Sequence, residues 1–289
     1  MKGLNIMQQP QYKSNYEIKF LARMQTSQHM GILIGAILLK FIITVIVVNI
    51  VSMLIPTTST TGYVINYILV FIVQVGVSVL NVGTSFIFLK SACSMTSSIS
   101  DLFCGFQQNT VKILKISAVI TVIDSICMIP LDIASIQYND IINSIPFFRE
   151  AGGSGMGLFL AGSSIDSHEL LEAYSILYNA SMKLYLIIFV CAVISLILTL
   201  PFFPAFYMIL DFPDWSATTI LKKSFEVMSG NKFRLFVLYL SFIPSFLLSI
   251  FTCGISLIWV IPYLNMALTN FYLDIMTVRN KTLNSNIVC

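Results

Sequence analysis

The sequence predicts an all-α protein that crosses a membrane six times. Hydrophobic residues make up 57% of its 289 residues and charged residues only 10%, values far from those of a soluble domain. Six apolar runs are long enough to span the hydrocarbon core of a bilayer as helices. Basic residues lie mainly in alternate connections between these runs, which predicts a common side of the membrane for both termini.

Each apolar run is predicted to be helical, because a segment in lipid must pair its own backbone groups and none of the runs alternates like a β-barrel strand. The first run is too long and begins too late for a cleaved signal peptide. Pro201 and Pro204 are expected to kink the fourth run, and Pro244 and Pro262 the fifth and sixth. The predicted spans are residues 31–54, 64–89, 111–130, 184–210, 233–251 and 255–274.

Basic charge predicts the orientation of the chain in a cytoplasmic (plasma) membrane. All of the sixteen Lys and Arg residues except Lys40, Arg149 and Lys183 fall at the termini and in alternate loops, which are therefore predicted to be cytoplasmic. These charges suit anionic lipid headgroups. They do not cluster with aromatic residues, so membrane lipids and membrane proteins are the expected partners and nucleic acid is not. No oligomeric state follows from the sequence.

The whole chain, residues 1–289, is predicted to form a single membrane domain with one long connection, residues 131–182, on the outer side. This connection is acidic, with Arg149 as its one basic residue. Its glycines in residues 152–157 predict a flexible hinge, and Ser167 begins a short helix with apolar residues at helical spacing. The glycines follow no strand and precede no Lys-Ser or Lys-Thr pair, so they do not predict a phosphate-binding loop.

Three short amphipathic stretches each precede a pair of predicted spans. They are residues 15–29, 98–109 and 216–230, and each is predicted to form a helix that lies along the cytoplasmic headgroups. The first lies within the amino-terminal segment 1–30, and the third lies within the cytoplasmic loop 211–232. Ser216 is a candidate helix cap and Gly230 a candidate stop. The basic residues predicted to contact headgroups are Lys19, Arg23, Lys112, Lys115, Lys222, Lys223, Lys232 and Arg234.

The three stretches indicate an internal repeat of surface helix, outward span and inward span. Because each unit has two crossings, the copies would share one orientation, with the acidic connection inserted in the middle copy. The alternative is a chance similarity among amphipathic helices.

Several segments resemble a known family. Residues 211–216 (Asp-Phe-Pro-Asp-Trp-Ser), 224–232 (Ser-Phe-Glu-Val-Met-Ser-Gly-Asn-Lys) and 270–272 (Asn-Phe-Tyr) resemble uncharacterised bacterial integral membrane proteins catalogued as domain of unknown function 975. Residues 86–90 and 101–106 are similar to the middle region of that family. The family is in turn similar to the membrane region beside some glycerophosphodiesterase catalytic domains, for which this chain has no room. The resemblance implies a polytopic membrane fold and no particular activity.

Polar groups at membrane depth are the candidates for chemistry, because an ionisable side chain in hydrocarbon costs about 2.5 to 3.5 kcal/mol even on insertion scales. Lys40 and Asp124 lie in outward spans, at depths that differ by about one helical turn. Three interpretations stay open: a structural ion pair, separate snorkelling or hydrogen bonding, and an ion or proton pathway.

Amide and hydroxyl groups form stripes on the second and sixth spans, at helical spacings of three and four residues. Such stripes hold helices together more often than they line a conduit, with hydrogen bonds of about 0.6 kcal/mol each, so packing is the favoured interpretation. The stripes consist of Gln74, Ser78, Asn81 and Ser85 on the second span and of Asn265 and Thr269 on the sixth.

The sequence predicts no enzyme, cofactor or metal site. His29 and His168 fall on opposite sides of the membrane, and Asp124 is the one carboxylate well inside a span. The six cysteines show no CxxC or CxH spacing, so neither a metal site nor a disulfide framework is expected. The leading prediction is a non-catalytic membrane protein that binds or organises lipids or partner proteins. The alternative is a small-solute or ion transporter that uses Lys40 and Asp124.

Overall fold

The computed structural model describes residues 12–54, 60–107, 110–145 and 167–283. Within these ranges the chain forms helices and turns and no strand, which confirms the predicted all-α class. The chain divides into two compact units: unit 1 consists of Met1–Thr121 and Leu200–Cys289, and unit 2 of Val122–Thr199.

Three helices build the first part of unit 1: α1 (Asn15–Leu54), α2 (Thr60–Val77) and α3 (Val79–Ala92). Non-helical backbone at His29 (φ −117°, ψ 20°) kinks α1. This kink lies where the predicted surface helix ends and the predicted first span begins, so that boundary is confirmed. Helices α2 and α3 are separated by Ser78 alone, whose hydroxyl donates to the Val75 carbonyl at 2.5 Å.

A short connecting segment, residues 98–107, joins α3 to the next long helix. It consists of a 3₁₀ turn, Ile99–Phe103, and one turn of α-helix, α4 (Cys104–Gln107). The structure is therefore shorter and less regular than the amphipathic helix that the sequence predicted over residues 98–109. Leu102 is fully buried, but Phe106 of the same predicted face is 52% exposed, because the tighter 3₁₀ winding shifts the two residues onto different faces.

Two long helices, α5 (Thr110–Ser144) and α6 (Ser167–Thr199), extend from both sides into the region that was predicted to connect them. Helix α5 continues through Pro130, and α6 begins at the predicted start, Ser167, and runs on into the fourth span. Within unit 2 the two helices are joined by a hydrogen bond between Tyr138 Oη and Ser181 Oγ at 3.1 Å. The glycines of residues 152–157 lie outside the described residues.

The remainder of unit 1 is a 3₁₀ turn, Leu200–Phe202, followed by α7 (Ala205–Asp211), α8 (Ala217–Met228), α9 (Lys232–Leu240), α10 (Ile243–Phe251) and α11 (Leu257–Leu283). The predicted interruption at Pro201 and Pro204 is confirmed by the break before α7. Pro244 lies in the first turn of α10, where a missing N–H costs no helical hydrogen bond, and Pro262 lies inside α11.

Five helical stretches of the described chain are long and apolar enough to cross a membrane, and they coincide with the first five predicted spans. They are Asn15–Leu54, Val64–Ala92, Thr110–Ser144, Leu171–Asp211 and Lys232–Phe251. Helix α11, the predicted sixth span, is not among them. Its polar residues Asn270 and Asp274 lower its hydropathy, and they are buried within the protein.

The core of unit 1 is formed by the carboxyl-terminal ends of the predicted inward spans, in α3, α7 and α11. In each of these helices the residue that follows a phenylalanine is buried. These residues are Ile87 in α3, Tyr207 in α7 and Tyr272 in α11, with exposed fractions of 0%, 5% and 0%. The Tyr207 and Tyr272 rings stack with their centroids 4.7 Å apart. Tyr207 Oη also lies 3.1 Å from Thr269 Oγ1, which joins α7 to α11 by a hydrogen bond.

Each amphipathic stretch packs against the end of one of these three helices. Residues 15–29 pack on α11, where Asn270 Nδ2 donates to Gln25 Oε1 at 2.6 Å. The connecting segment packs on α3, and α8 packs on the turn before α7. Apolar side chains at the centre of the three stretches are therefore covered by protein and not by lipid; Ile18, Ala22, Leu102 and Ile220 are each 0% exposed.

Candidate functional site

The connecting segment touches α3 backbone to backbone, which requires glycine at two positions. A Cβ atom on Gly83 of α3 would lie 1.8 Å from the Leu102 carbonyl oxygen. A Cβ atom on Gly105 would lie 2.8 Å from Val79 Cγ1 and 2.9 Å from Val79 O. Because any larger residue would force the two segments apart, these glycines set the position of the polar side chains that follow.

An ion pair closes the connecting segment onto α3. Lys90 Nζ donates to both carboxylate oxygens of Asp101, at 3.0 and 2.9 Å, and lies 4.6 Å from the Phe86 ring centroid. The Ser98 N–H also donates to Asp101 Oδ2 at 2.9 Å, as one half of a capping box. Burial acts to raise the pKa of Asp101, but the hydrogen bonds from Ser98 and Lys90 and the Lys90 charge together hold that pKa below its usual value.

A cavity of about 270 Å³ lies beside this ion pair. Most of its lining is apolar, and its polar groups come from the connecting segment. The lining residues are Val82, Phe86, Asp101, Cys104, Gly105, Gln107, Ile113, Ile209, Leu210 and Pro213. Burial raises the pKa of the Cys104 thiol, and the Asp101 charge raises it further, against a smaller opposite effect of Lys90.

The cysteines differ from one another in bonding. Cys93, at the end of α3, is disulfide-bonded, which the sequence spacing did not predict. Cys104, Cys127, Cys191 and Cys253 are free. In the described ranges, no three His, Cys, Asp or Glu side chains form a group that would hold a metal ion.

The surface of α8 and α9 carries a group of aromatic and basic residues, here called the headgroup patch: the exposed Lys222, Phe225 and Phe233 and the half-buried Lys232. Phe225 is 49% exposed and Phe233 76% exposed. The Lys232 ammonium lies 4.2 Å from the Phe225 ring centroid. Helix α8 presents this patch outward because its opposite face is buried, and Ser224 Oγ on that face donates to the Pro201 carbonyl at 2.9 Å.

Neighbouring charges on α8 are neutralised within the protein. Lys223 Nζ lies 2.8 Å from Glu226 Oε2, and Arg279 Nη2 lies 3.8 Å from the same oxygen. The pKa of Glu226 is lowered, chiefly by the Lys223 hydrogen bond; burial acts in the opposite direction, and the surrounding positive charges lower the pKa further. Lys223 is therefore less available to a headgroup than Lys222.

Three other basic residues that were predicted to meet headgroups also bind protein atoms. Lys19 Nζ donates to the Ser241 carbonyl at 3.0 Å, and Lys112 Nζ donates to the Pro213 carbonyl. Arg234 pairs with the buried Asp274 carboxylate and donates to the Lys13 carbonyl at 2.7 Å. The sequence pattern did not indicate these protein contacts, because a helix end can turn its basic residues toward a neighbouring chain segment that is distant in sequence.

Arg234 also lies between aromatic rings, with Cζ 4.9 Å from the Tyr12 centroid and 4.8 Å from the Phe271 centroid. The Lys13 N–H donates to both oxygens of Asp274, at 3.2 and 3.3 Å. The pair therefore ties residues near the amino terminus to α9 and α11. Arg23, Lys115 and Lys222 remain exposed, as a headgroup ligand requires.

Among the described residues of unit 1, the intramembrane candidates share no hydrogen bond with one another. Gln74 is exposed, and Lys40 and Asn81 are half-buried. Asn265 Nδ2 donates to the Ile261 carbonyl of its own helix at 2.9 Å. Within unit 1, the described acidic side chains form no ion pair with Lys40.

Asp124 has a hydrogen-bond partner within unit 2. Its carboxylate accepts the hydroxyl of Ser195, a side chain of α6 that is 7% exposed. The partner comes from the antiparallel helix and not from the residues near Asp124 in sequence. Lys40 belongs to unit 1, and its pairing with Asp124 stays a prediction.

Sequence reasoning missed the pair of Lys90 with Asp101 and the pair of Arg234 with Asp274. A signal for the first was present, because Ser98 and Asp101 have the spacing of a capping box, which fixes the direction of the carboxylate. Asp274 and Arg234 lie 40 residues apart and share no local pattern.

Comparison with known proteins finds a family. A protein-family model described as "Protein of unknown function (DUF975)" matches residues 7–279. No curated protein and no solved structure matches the chain. The match covers the side chains of the candidate sites and, among the described residues, all of the helices except the carboxyl-terminal end of α11.

Proposed function

Because this chain belongs to the protein family of unknown function DUF975, we propose that it is a non-catalytic membrane protein whose cytoplasmic face binds anionic lipid headgroups. The five long apolar helices found in the described part of the chain are compatible with residence in a membrane. The proposed membrane is the cytoplasmic one. The headgroup patch on α8 and α9 is the observation that carries the proposed binding.

The headgroup patch combines the two features that an interfacial site needs. The exposed rings of Phe225 and Phe233 suit the boundary between headgroups and acyl chains, and Lys222 and Lys232 supply positive charge beside them. The buried face of α8 holds these side chains in place, so the lipid does not have to order the helix. An ordered patch loses less conformational entropy on binding than a mobile one.

We further propose six crossings arranged as three parallel repeats, with α11 as the sixth. The packing of the amphipathic stretches supports this arrangement, because each stretch lies on the inward helix of the preceding repeat. The first repeat has no preceding repeat, and its stretch packs on α11, the inward helix of the last repeat. A helix surrounded by the other repeats needs less apolar surface than one exposed to lipid, which accounts for the polar residues of α11.

Both termini are proposed to be cytoplasmic. The location of the basic residues supports this orientation. The disulfide at Cys93 opposes it, because disulfides are rare in the cytosol and this orientation places the end of α3 there. Labelling with a membrane-impermeant maleimide decides between the two: Cys253, exposed in the turn before α11, should react in intact cells, and Cys104 only after permeabilisation. The reverse order would refute the orientation.

Headgroup binding is tested by native mass spectrometry of the purified protein with phosphatidylglycerol and phosphatidylcholine. Replacing Lys222 and Lys232 by Gln should weaken phosphatidylglycerol binding by about 1 kcal/mol per lysine and leave phosphatidylcholine binding unchanged. The control is Lys183→Gln, which changes an exposed lysine of α6 that is proposed to lie on the outer side. Equal losses in the control and the double variant would contradict the proposal.

The transporter alternative depends on Lys40 and Asp124. The bond from Ser195 to Asp124 gives this carboxylate a structural role in joining α5 to α6. Asp124→Asn preserves a hydrogen-bond acceptor and removes the charge. A folded variant that loses a proton or solute flux measured in proteoliposomes would favour transport over the proposed headgroup function.

A further inference from the structure

We propose that the hairpin of α9, α10 and α11, here called the third hairpin, crosses a part of the membrane that it makes thinner than the surrounding bilayer. Helices α9 and α10 form one arm, α11 forms the other, and residues 252–256 form the tip. The partner of the tip is then the acyl chains of the leaflet around it. This proposal rests on the six crossings proposed above.

Both arms of the third hairpin are short. The ion pair of Arg234 with Asp274 joins them at the end opposite the tip. From Arg234 to Thr252, where α10 ends, the chain rises roughly 27 Å at 1.5 Å per residue. From Leu257 to Asp274, α11 rises roughly 26 Å. Neither arm equals the roughly 30 Å of a hydrocarbon core, and any tilt shortens both.

Helix α1, in the same unit, gives a direct comparison. From the kink at His29 to Leu54 it rises roughly 37 Å. Its count does not begin lower than that of the third hairpin, because Gln25 Oε1 accepts a hydrogen bond from Asn270, one turn nearer the tip than Asp274. Measured along the helices, α1 therefore extends about 10 Å further than the third hairpin.

A lysine ammonium lies nearer still to the tip. Lys19 Nζ donates to the Ser241 carbonyl at 3.0 Å and lies 4.7 Å from the Phe242 ring centroid. Ser241 is at the break between α9 and α10, and from there to Thr252 the chain rises roughly 17 Å. A charged ammonium favours the edge of the hydrocarbon over its interior. The apolar thickness left between Lys19 and the tip is therefore roughly half of an ordinary core.

The tip itself is apolar. Between Arg234 and Asp274 the sequence has no Asp, Glu, Lys, Arg or His. At the tip Phe251 is 85% exposed, Ile250 72% and Ile255 61%. Acyl chains cover such side chains better than water does. For acyl chains to reach them while the tip faces water, the leaflet has to bend inward around the hairpin.

Labelling of Cys253, the exposed thiol of the tip, by a membrane-impermeant maleimide measures whether water reaches the tip. The full-length Met53→Cys protein is reconstituted into vesicles of dimyristoleoyl, dioleoyl or dierucoyl phosphatidylcholine, whose acyl chains increase in length. Met53 is 84% exposed near the far end of α1, so the substituted position is an internal reference on the same side of the membrane. Peptide mass spectrometry gives the ratio of labelling at Cys253 to labelling at position 53.

The labelling ratio should fall roughly threefold from the shortest to the longest acyl chains, because a thicker bilayer resists thinning and closes over the tip. Lys19→Met, made in the Met53→Cys protein, lets hydrocarbon extend as far as the Arg234 ion pair. The ratio should then depend less steeply on chain length. Arg23→Met, which changes an exposed basic residue one turn further along α1, is the matched control and should retain the full dependence.

The proposal is overturned if the labelling ratio is the same in the three lipids, or if Lys19→Met and Arg23→Met behave alike. A ratio that rises when the protein is diluted in lipid would show that a second copy covers the tip, which also refutes it. Cys253 that stays unlabelled in the thinnest vesicles, while position 53 reacts, would show that the hairpin does not cross at all. That result alone would refute the six crossings as well.

Discussion

The connecting segment and helix α8 occupy comparable places in the chain but are held by different forces. Helix α8 is a regular helix with a capped start, and it is fixed by the burial of one apolar face. The connecting segment is two short turns, fixed by backbone contact at Gly83 and Gly105 and by one ion pair. A similar amphipathic pattern therefore leads to two structures, according to what the neighbouring helix offers.

The largest expected effect concerns the backbone contact of the connecting segment. Gly83→Ala should destabilise the protein by about 3 kcal/mol or more, because the new methyl group meets a backbone oxygen that cannot move without displacing the segment. Unfolding of the detergent-solubilised protein measures the change. The control is Gly76→Ala, where nothing lies within 4 Å of the added atom and little change or a small gain is expected.

Burial on α8 should have the next largest effect. Ile220→Ala removes a side chain that is 0% exposed and should cost about 2 to 4 kcal/mol in the same unfolding measurement. Phe225→Ala, on the exposed face of the same helix, is the matched control and should cost far less. A comparable loss in both variants would show that α8 is not fixed by its buried face.

The ion pair of the connecting segment should make stability depend on pH. The pKa of Asp101 is lowered by folding, so its contribution is present above the unfolded-state pKa of about 3.9 and is lost as the pH falls through the lower folded-state pKa. Asp101→Asn should cost about 1.5 kcal/mol at neutral pH and progressively less in acid. A difference from the unsubstituted protein that persists unchanged at pH 2 would contradict this prediction.

The helix cap of α8 should have the smallest effect. The Thr219 N–H donates to Ser216 Oγ at 3.2 Å. Ser216→Ala should therefore cost about 0.5 to 1 kcal/mol, visible as a small decrease in unfolding midpoint. Ser216→Asp preserves the acceptor and should retain the stability, and a loss equal to that of the alanine variant would argue against the cap.

Much of the fold was predictable because apolar length and local capping act over neighbouring residues. The first five spans, the boundary at His29 and the helix start at Ser167 all follow from such local patterns. The candidate sites were less predictable. Whether a lysine meets a headgroup or a carbonyl, as Lys112 meets that of Pro213, depends on a segment about a hundred residues away.

The amino-acid sequence by itself determined that this protein is helical, apolar and basic in alternate connections, because hydrogen bonding in lipid and charge asymmetry act along the chain. Only the tertiary structure decided that Asp101 meets Lys90, that Arg234 meets Asp274, and that a cavity remains beside Cys104. These arrangements depend on how closely backbones approach at positions such as Gly83, and such distances are set by packing between segments that no local pattern describes.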